Sequence, residues 1–367
     1  MEAPTYPCPH CGRPVSLGTI ICPYCQSSIV TAVGYETSPA GPFGQGAFVS
    51  GPPTPAPRRP PLAILGGFLA ATLAAAGLIG LGYWLNHVNG GAASVLISSD
   101  FLLVPLVMGL LCAYLWRNLS LTTVEYFLYA VINSALGLVV AAVFMHEGVI
   151  CLVIVSPLLL SFVFVGSLAG RWLFGLKNNR LNLSLAPLAL AVLAWDALTP
   201  HHYENAVSDT LVIHARPAQV WAHLAAVPPI PDKPGYWLFR MGLPYPTQAT
   251  VEGMGVGARR RCVFSHDDVF EERITQWQPG HRLTFDVTSQ PRDPEILGHA
   301  RVLRGQFLLR DNGDGTTTLT GTSWYELYVY PSWYYDVWAR SIARQVHVRV
   351  MRHIKSLSED RTSEQGR

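Results

Sequence analysis

Four cysteines lie within the first 25 residues, as Cys8-Pro-His-Cys11 and Cys22-Pro-Tyr-Cys25, with ten residues between the pairs. A CxxC turn aims two thiolates at one point, and two such turns supply the four tetrahedral sulfurs that zinc prefers. Gly12 follows the first pair and suits the positive-φ position that closes such a turn. Gln26 stands at the matching place after the second pair, a departure that bears on turn shape more than on ligation. Reduced free thiols or a redox pair are the alternatives at this spacing. His10, inside the first pair, is expected to be a bystander. So short a segment buries little apolar surface, so a structural Zn2+ held by Cys8, Cys11, Cys22 and Cys25 is expected to supply most of its folding energy, in a compartment that keeps thiols reduced. Cys112, Cys151 and Cys262 stand alone.

Chemistry-bearing residues are sparse elsewhere. Arg260 shares strand parity with Cys262 and Phe264, and Glu272 shares it with Phe270 and Ile274. If both charged side chains point inward, each needs a partner. A half-exposed structural Arg260–Glu272 pair is the expected arrangement, and a polar anchor at the mouth of a cavity is the alternative. His266, Asp267 and Asp268 form an adjoining turn. If the domain is an enzyme, Glu272, His266 and Asp268 are its acid–base candidates, in that order. No serine–histidine or cysteine–histidine arrangement is legible, and Cys262 has no histidine signature beside it.

Two different solvents must surround the elements that position these residues. Half of the 367 residues are hydrophobic and only 14% are charged, against about a quarter in soluble domains. From Pro60 to Arg171 the charges are Asp100, Arg117, Glu125, Glu147 and Arg171. The apolar runs predict spans at Leu62–Leu85, Val95–Trp116, Thr123–Met145, Gly148–Leu168 and, most weakly, Leu181–Leu198, which carries Pro187 and Asp196. Trp84, Trp116, Trp172 and Trp195 fall near span ends, where an aromatic belt would sit. The first apolar run begins too late for a cleaved leader and is expected to act as an uncleaved anchor. Arg58 and Arg59 precede span one, Arg117 lies between spans two and three, and Arg171, Lys177 and Arg180 lie between four and five. The loops at His87–Ser94 and His146–Glu147 hold no Lys or Arg. The positive-inside rule then puts the N-terminus and the basic loops in the cytosol. Five spans put the terminal domain outside, in the periplasm or extracellular space; four, with Leu181–Leu198 interfacial, put it inside. Asp100, Glu125 and Asp196 are expected to be hydrated interface residues rather than an ion path.

The cysteine module resembles the short zinc ribbons at the N-termini of many bacterial membrane proteins, which implies the cell (inner) membrane of a bacterium. The resulting plan is a zinc ribbon over 1–30, a disordered Pro/Gly-rich linker over 31–61, an all-α transmembrane block over 62–199, an α+β domain over 205–358 and a flexible tail over 359–367. In the last domain, strands are predicted at Ala206–Ala215, Ala249–Glu252, Ala258–Ser265, Val269–Trp277, Arg282–Thr288, Ala300–Leu309 and Thr316–Leu327. A short helix follows Pro217, and a long one begins at Ser332 with the stripe Val337, Trp338, Ile342, Val346, Val350, Met351, Ile354 and Leu357. The segments "LVIHARPAQVWAHLAAV", "GMGVGARRRCVF" and "FEERITQWQPGHRLTFDV" resemble the SRPBCC (START/Bet v 1-like) superfamily, including its polyketide cyclase/dehydrase-like branch. The resemblance covers about Ala206–Leu357 and implies a helix-grip fold: a curved antiparallel sheet around a long C-terminal helix. Members range from lipid-transfer and ligand-binding proteins to aromatases.

Between sheet and helix such a fold leaves an apolar cavity. Leu283, Phe285 and Val287 share one strand face, as do Leu303, Phe307 and Leu309. Arg260, Phe264, Glu272, Phe285, Phe307, Trp338 and Ile342 are the candidate cavity residues, although aromatics on such stripes are more often plain core. The expected function is a membrane-anchored carrier or sensor of a hydrophobic or lipid-like small molecule. The alternatives are a cyclase-, aromatase- or hydrolase-like enzyme in the same cavity, or a membrane scaffold with a protein partner. The bilayer is a partner in each case. The net charge of +2 gives no case for nucleic acid.

Overall fold

The computed structural model describes residues 5–8, 11–16, 21–25, 27, 61–89, 96–119, 121–145, 148–175, 182–291 and 299–365. His10, Arg58, Arg59, His146, Glu147, Lys177 and Arg180 lie outside these residues, as does the linker expected over 31–61 apart from its last position. The chain divides into two units, Met1–Arg58 and Arg59–Arg367.

In the first unit, β1 (Thr5–Pro7) pairs antiparallel with β2 (Pro14–Ser16). Its buried side chains among the described residues are Cys8, Val15 and Cys22, with Cys25 packed beside them. Gly12 takes φ +71 and sends its N–H to the Cys8 carbonyl at 2.8 Å, closing the first turn.

The second unit begins with helices α1 (Pro61–Val88), α2 (Ser98–Phe101), α3 (Leu103–Leu115), α4 (Thr123–Val140), α5 (Val149–Gly175) and α6 (Asn182–Leu198). A π-helical turn, Ala141–Met145, extends α4. Leu62–Val88, Ser98–Leu115, Thr123–Val143 and Val149–Phe174 are long and apolar enough to cross a membrane; Ala186–Leu198 is a shorter apolar helix. Small residues let α3 and α5 touch backbone to backbone: a Cβ on Gly109 would strike the Val163 carbonyl, and one on Gly166 the Leu106 carbonyl.

The two ends of this block differ in chemistry. Arg117 lies over the Tyr114 ring at 4.2 Å, and Arg171 donates to Thr123 Oγ1 at 3.0 Å, so both arginines share one end. At the other end Asp196 accepts the Ser99 N–H at 2.5 Å, and Asn89 donates to the Leu198 carbonyl at 3.1 Å. The helix α6 therefore finishes at the end opposite the arginines, and its 17 residues reach about 26 Å at 1.5 Å per residue. Three carboxylates of this block, Asp100, Glu125 and Asp196, serve as ties. Asp100 accepts the Ile97 N–H, Glu125 accepts the Thr122 N–H, and Asp196 also meets His201 at 3.0 Å. Trp84, Trp172 and Trp195 are exposed, but Trp116 is not a belt residue. It is 1% exposed, lies over Gly67 and donates to the Ala63 carbonyl, because a glycine on α1 leaves room for the indole.

The terminal domain holds β3 (Tyr203–Ile213), α7 (Pro217–Trp221), α8 (Trp237–Met241), β4 (Pro246–Glu252), β5 (Arg259–Phe264), β6 (Val269–Gln278), β7 (Arg282–Ser289), β8 (Ala300–Asp311), β9 (Thr317–Leu327) and α9 (Ser332–Gln365). Seven antiparallel strands run in the order β3-β9-β8-β7-β6-β5-β4, and α9 packs on β3, β9 and β4. This is the helix-grip architecture. Pro217 opens α7 because a proline loses nothing at a first helical position. Gly280, at φ +70, turns β6 into β7. Two expectations change. The helix α9 runs past residue 358, so 359–365 are helical rather than a tail. A register shift between Val302 and Arg304 sets Val302 opposite Tyr325 and leaves Leu303 unpaired, so Val302 takes the concave-face place expected for Leu303.

The domain interior has two apolar clusters. One joins Ile213, Leu224, Ile274, Leu283, Phe285, Phe307, Leu319, Met351 and Ile354. The other joins Leu238, Phe239, Leu243, Tyr325, Leu327, Val329 and Tyr335 with Ile150 and Ile154 of α5, flanked by Leu96, Phe101, Trp338, Ile342 and Val346. The second cluster is thus shared between the helical block and the sheet domain. Backbone bonds reinforce it: the Leu96 N–H donates to Tyr328, and the Tyr330 N–H donates to Leu96, at 2.9 and 3.0 Å. Tyr334 Oη donates to the Ile154 carbonyl at 2.6 Å.

Candidate functional site

The cysteine cluster passes a simple geometric test. Sulfurs 2.3 Å from a tetrahedral zinc stand about 3.8 Å apart. Cys8 and Cys25 sulfurs are 3.8 Å apart, Cys11 and Cys22 sulfurs 3.7 Å, and all four lie within 4.8 Å of one another. The β1–β2 pairing frames the first CxxC turn, and the second packs against it. Four cysteines so placed form a centre able to chelate a metal.

The strand register sets Arg260 opposite Glu272, and their side chains form an ion pair. Both are buried, with side-chain exposures of 3% and 6%, so the pair lies in the interior rather than half-exposed at a rim. Arg260 Nε also donates to the Ala225 carbonyl at 3.0 Å, and its guanidinium stacks 4.6 Å over the Phe285 ring. Burial pushes the Glu272 carboxyl up, while the guanidinium in contact with it pulls the other way. Its nearest cation is Arg260, so in the ionised form it serves as that guanidinium's countercharge. His266 and Asp267 are exposed at φ +63 and +62, and Asp268 is partly exposed. The three acid–base candidates therefore do not converge. Burial pushes the Cys262 thiol up to about 12, which removes it as a nucleophile at neutral pH.

The remaining candidates divide between the clusters. Phe285 packs where a Cβ on Gly305 would stand, and Phe307 and Met351 border Gly321, so these side chains fill the core. Phe264 packs on Phe270 with ring centres 4.7 Å apart. Trp338 and Ile342 face the second cluster. Filling is less complete there. Val207, Val302 and Ser323 on the concave face, and Ile342 and Val346 on α9, remain partly exposed although sheet and helix face each other.

A polar seam under α9 was not legible in the sequence. Ser323 Oγ is 2.8 Å from His347 Nε2, His347 Nδ1 is 2.9 Å from Asp209 Oδ2, and Arg344 Nε is 3.2 Å from Asp209 Oδ1. Beside it Asn205, Tyr325 and Arg340 all bond to Asp336. The available signal was His347 inside an otherwise apolar helical stripe. Its partners depend on pairing β3 with β9, strands more than a hundred residues apart.

The terminal domain belongs by architecture to the helix-grip class. Among solved structures the chain is similar to a norcoclaurine synthase point mutant from Thalictrum flavum, with 11% identity over 45% of this chain and 99% of that chain, TM-score 0.32. It is also similar to the Zhui aromatase/cyclase from Streptomyces sp. R1128, with 15% identity over 44% and 96%, TM-score 0.32. A protein of unknown function from Staphylococcus aureus is similar too, with 9% identity over 44% and 98%, TM-score 0.31. No protein-family model and no curated protein matches the chain.

Proposed function

We propose that this chain is a membrane-anchored module that binds an apolar or lipid-like small molecule between its curved sheet and α9, with a structural zinc at Cys8, Cys11, Cys22 and Cys25. The observation that supports it is the shared apolar cluster, which runs from Ile150 and Ile154 in the first turns of α5 to Trp338, Ile342 and Val346 on the gripped helix. An apolar molecule partitions into the bilayer, so a site whose wall continues from the spans draws on a concentrated supply. Trp333, Val337, Trp237 and Met241 are exposed apolar side chains on α9 and α8, near Tyr334 and Trp338. Aromatic residues of this kind favour the headgroup level. We place the domain on the non-cytoplasmic face: it rests on the block end opposite Arg117 and Arg171, the end at which α6 also finishes.

Native mass spectrometry of the whole chain released from gentle detergent tests the binding reading. The expected spectrum carries a defined lipid or other apolar adduct near one per chain, lost in Ile342→Trp, which adds bulk on the face of α9 that packs with Val346 against the second cluster. A spectrum of bare chain alone, from protein folded by circular dichroism, would contradict it.

A further inference from the structure

We propose that Ser323, His347 and Asp209 form a nucleophilic relay that cleaves carboxylic esters of apolar acids held against the concave face, an inference that rests on the cavity reading above. The order of contacts carries it. Asp209 Oδ2 lies 2.9 Å from His347 Nδ1, and Ser323 Oγ lies 2.8 Å from His347 Nε2. A carboxylate only accepts hydrogen bonds, so Nδ1 holds the ring proton and the Nε2 lone pair faces the serine hydroxyl. Arg344 Nε lies 3.2 Å from the second Asp209 oxygen, which fixes the orientation of that carboxylate. Burial holds the imidazole below its ordinary value, against the pull of Asp209, so the ring is neutral and ready to take a proton.

The three residues come from three elements. Asp209 lies on the edge strand β3, Ser323 on β9 and His347 on α9. His347 is buried, while Ser323 remains partly exposed. In register Ser323 stands between Val207 and Gly305, and the Phe285 ring covers Gly305, so an apolar wall adjoins the hydroxyl. The nucleophile is the member of the relay that a bound acyl chain would meet. These are the roles that ester hydrolysis needs: a hydroxyl, a neutral base within hydrogen-bond reach, and a carboxylate that orients the base.

In the first step Ser323 Oγ bonds to the ester carbonyl carbon and its proton passes to Nε2. The carbon–oxygen bond to the alcohol then breaks, and the alcohol leaves with that proton. Water next gives a proton to Nε2 and bonds to the acyl carbon. The Ser323 oxygen leaves and recovers the proton, releasing the acid. No electron donor or acceptor is required.

The test treats the full chain in lipid nanodiscs with a long-chain alkyl fluorophosphonate and locates the adduct by peptide mass spectrometry. One adduct per chain on Ser323 is expected. Ser323→Ala should abolish it, and His347→Gln should slow it at least about 100-fold, the lower range for general-base catalysis. For Asp209, a positioning residue, Asp209→Glu should restore labelling that Asp209→Asn loses at equal thermal stability. A folded wild-type chain without adduct, or equal labelling in His347→Gln, overturns the relay. Bound lipid without an adduct leaves the cavity reading standing, whereas an adduct without bound lipid sinks that reading and keeps the relay. Neither lipid nor adduct removes both.

Discussion

Replacing Glu272 by leucine is expected to cost the terminal domain about 3–5 kcal/mol, the usual penalty for stranding one charge of a buried pair. Arg260 would keep its bond to the Ala225 carbonyl and its stack on Phe285 but lose the countercharge beside it. A guanidinium gives up its proton too reluctantly to escape by neutralising. The neighbouring Arg261–Glu271 pair is a built-in control. It lies on the same two strands with side chains 48% and 42% exposed, and Glu271→Leu should cost no more than about 1 kcal/mol. The double replacement Arg260→Leu/Glu272→Leu should recover most of the loss, because it removes both desolvated charges. Denaturant unfolding of the whole chain in detergent, followed by tryptophan fluorescence, reads all three. Equal losses for Glu271→Leu and Glu272→Leu would refute the assigned role of the buried pair.

The second large effect concerns zinc. Cys8, Val15 and Cys22 are the buried apolar residues of the first unit among those described, too few to hold it folded. Structural zinc supplies about 10–16 kcal/mol in modules of this size, so Cys22→Ala should both release the metal and unfold residues 5–27. Elemental analysis of the full chain, purified under reducing and metal-replete conditions, should give close to one zinc per wild-type chain and none for the variant. Amide exchange should become fast in the first unit and remain slow in β6–β9. Zinc-free wild-type protein with protected amides in the first unit would overturn this expectation.

What the sequence disclosed depended on how local the signal was. The CxxC spacing is contained within eighteen residues, and the metal-ready geometry follows from it. The seven strands were legible from alternation and from turn residues such as Pro279-Gly280 and Asn312-Gly313. Parity along β5 and β6 was enough to aim Arg260 and Glu272 at each other, since no bulge interrupts their pairing. Leu303 departs from its expected face because a bulge in β8 breaks parity, and alternation carries no sign of it. The burial of Trp116 is not legible locally because Gly67, which makes room for it, lies on a different helix. The Ser323–His347–Asp209 seam was invisible for the same reason on a larger scale. Its members are distant in sequence, and only the β3–β9 register and the placement of α9 bring them together.

The association of the sheet domain with the helical block has the same origin. Leu96, Phe101, Ile150 and Ile154 read as ordinary span residues, yet they form one side of the domain's second core. Such an interface makes the terminal domain part of the membrane block's surface rather than a freely tethered module.

Photo-crosslinking in intact membranes tests the central claim most directly. Membranes containing the whole chain are equilibrated with a fatty-acid-derived lipid bearing a diazirine in its acyl chain, irradiated and digested, and the modified residues are located by mass spectrometry. The result expected is labelling of concave-face and α9 residues, Val302, Ile342 and Val346 among them, competed away by excess unmodified lipid and lost in Ile342→Trp. Labelling confined to lipid-facing residues of α1, α4 and α5, with the sheet domain unmarked, would contradict a ligand site between the sheet and α9.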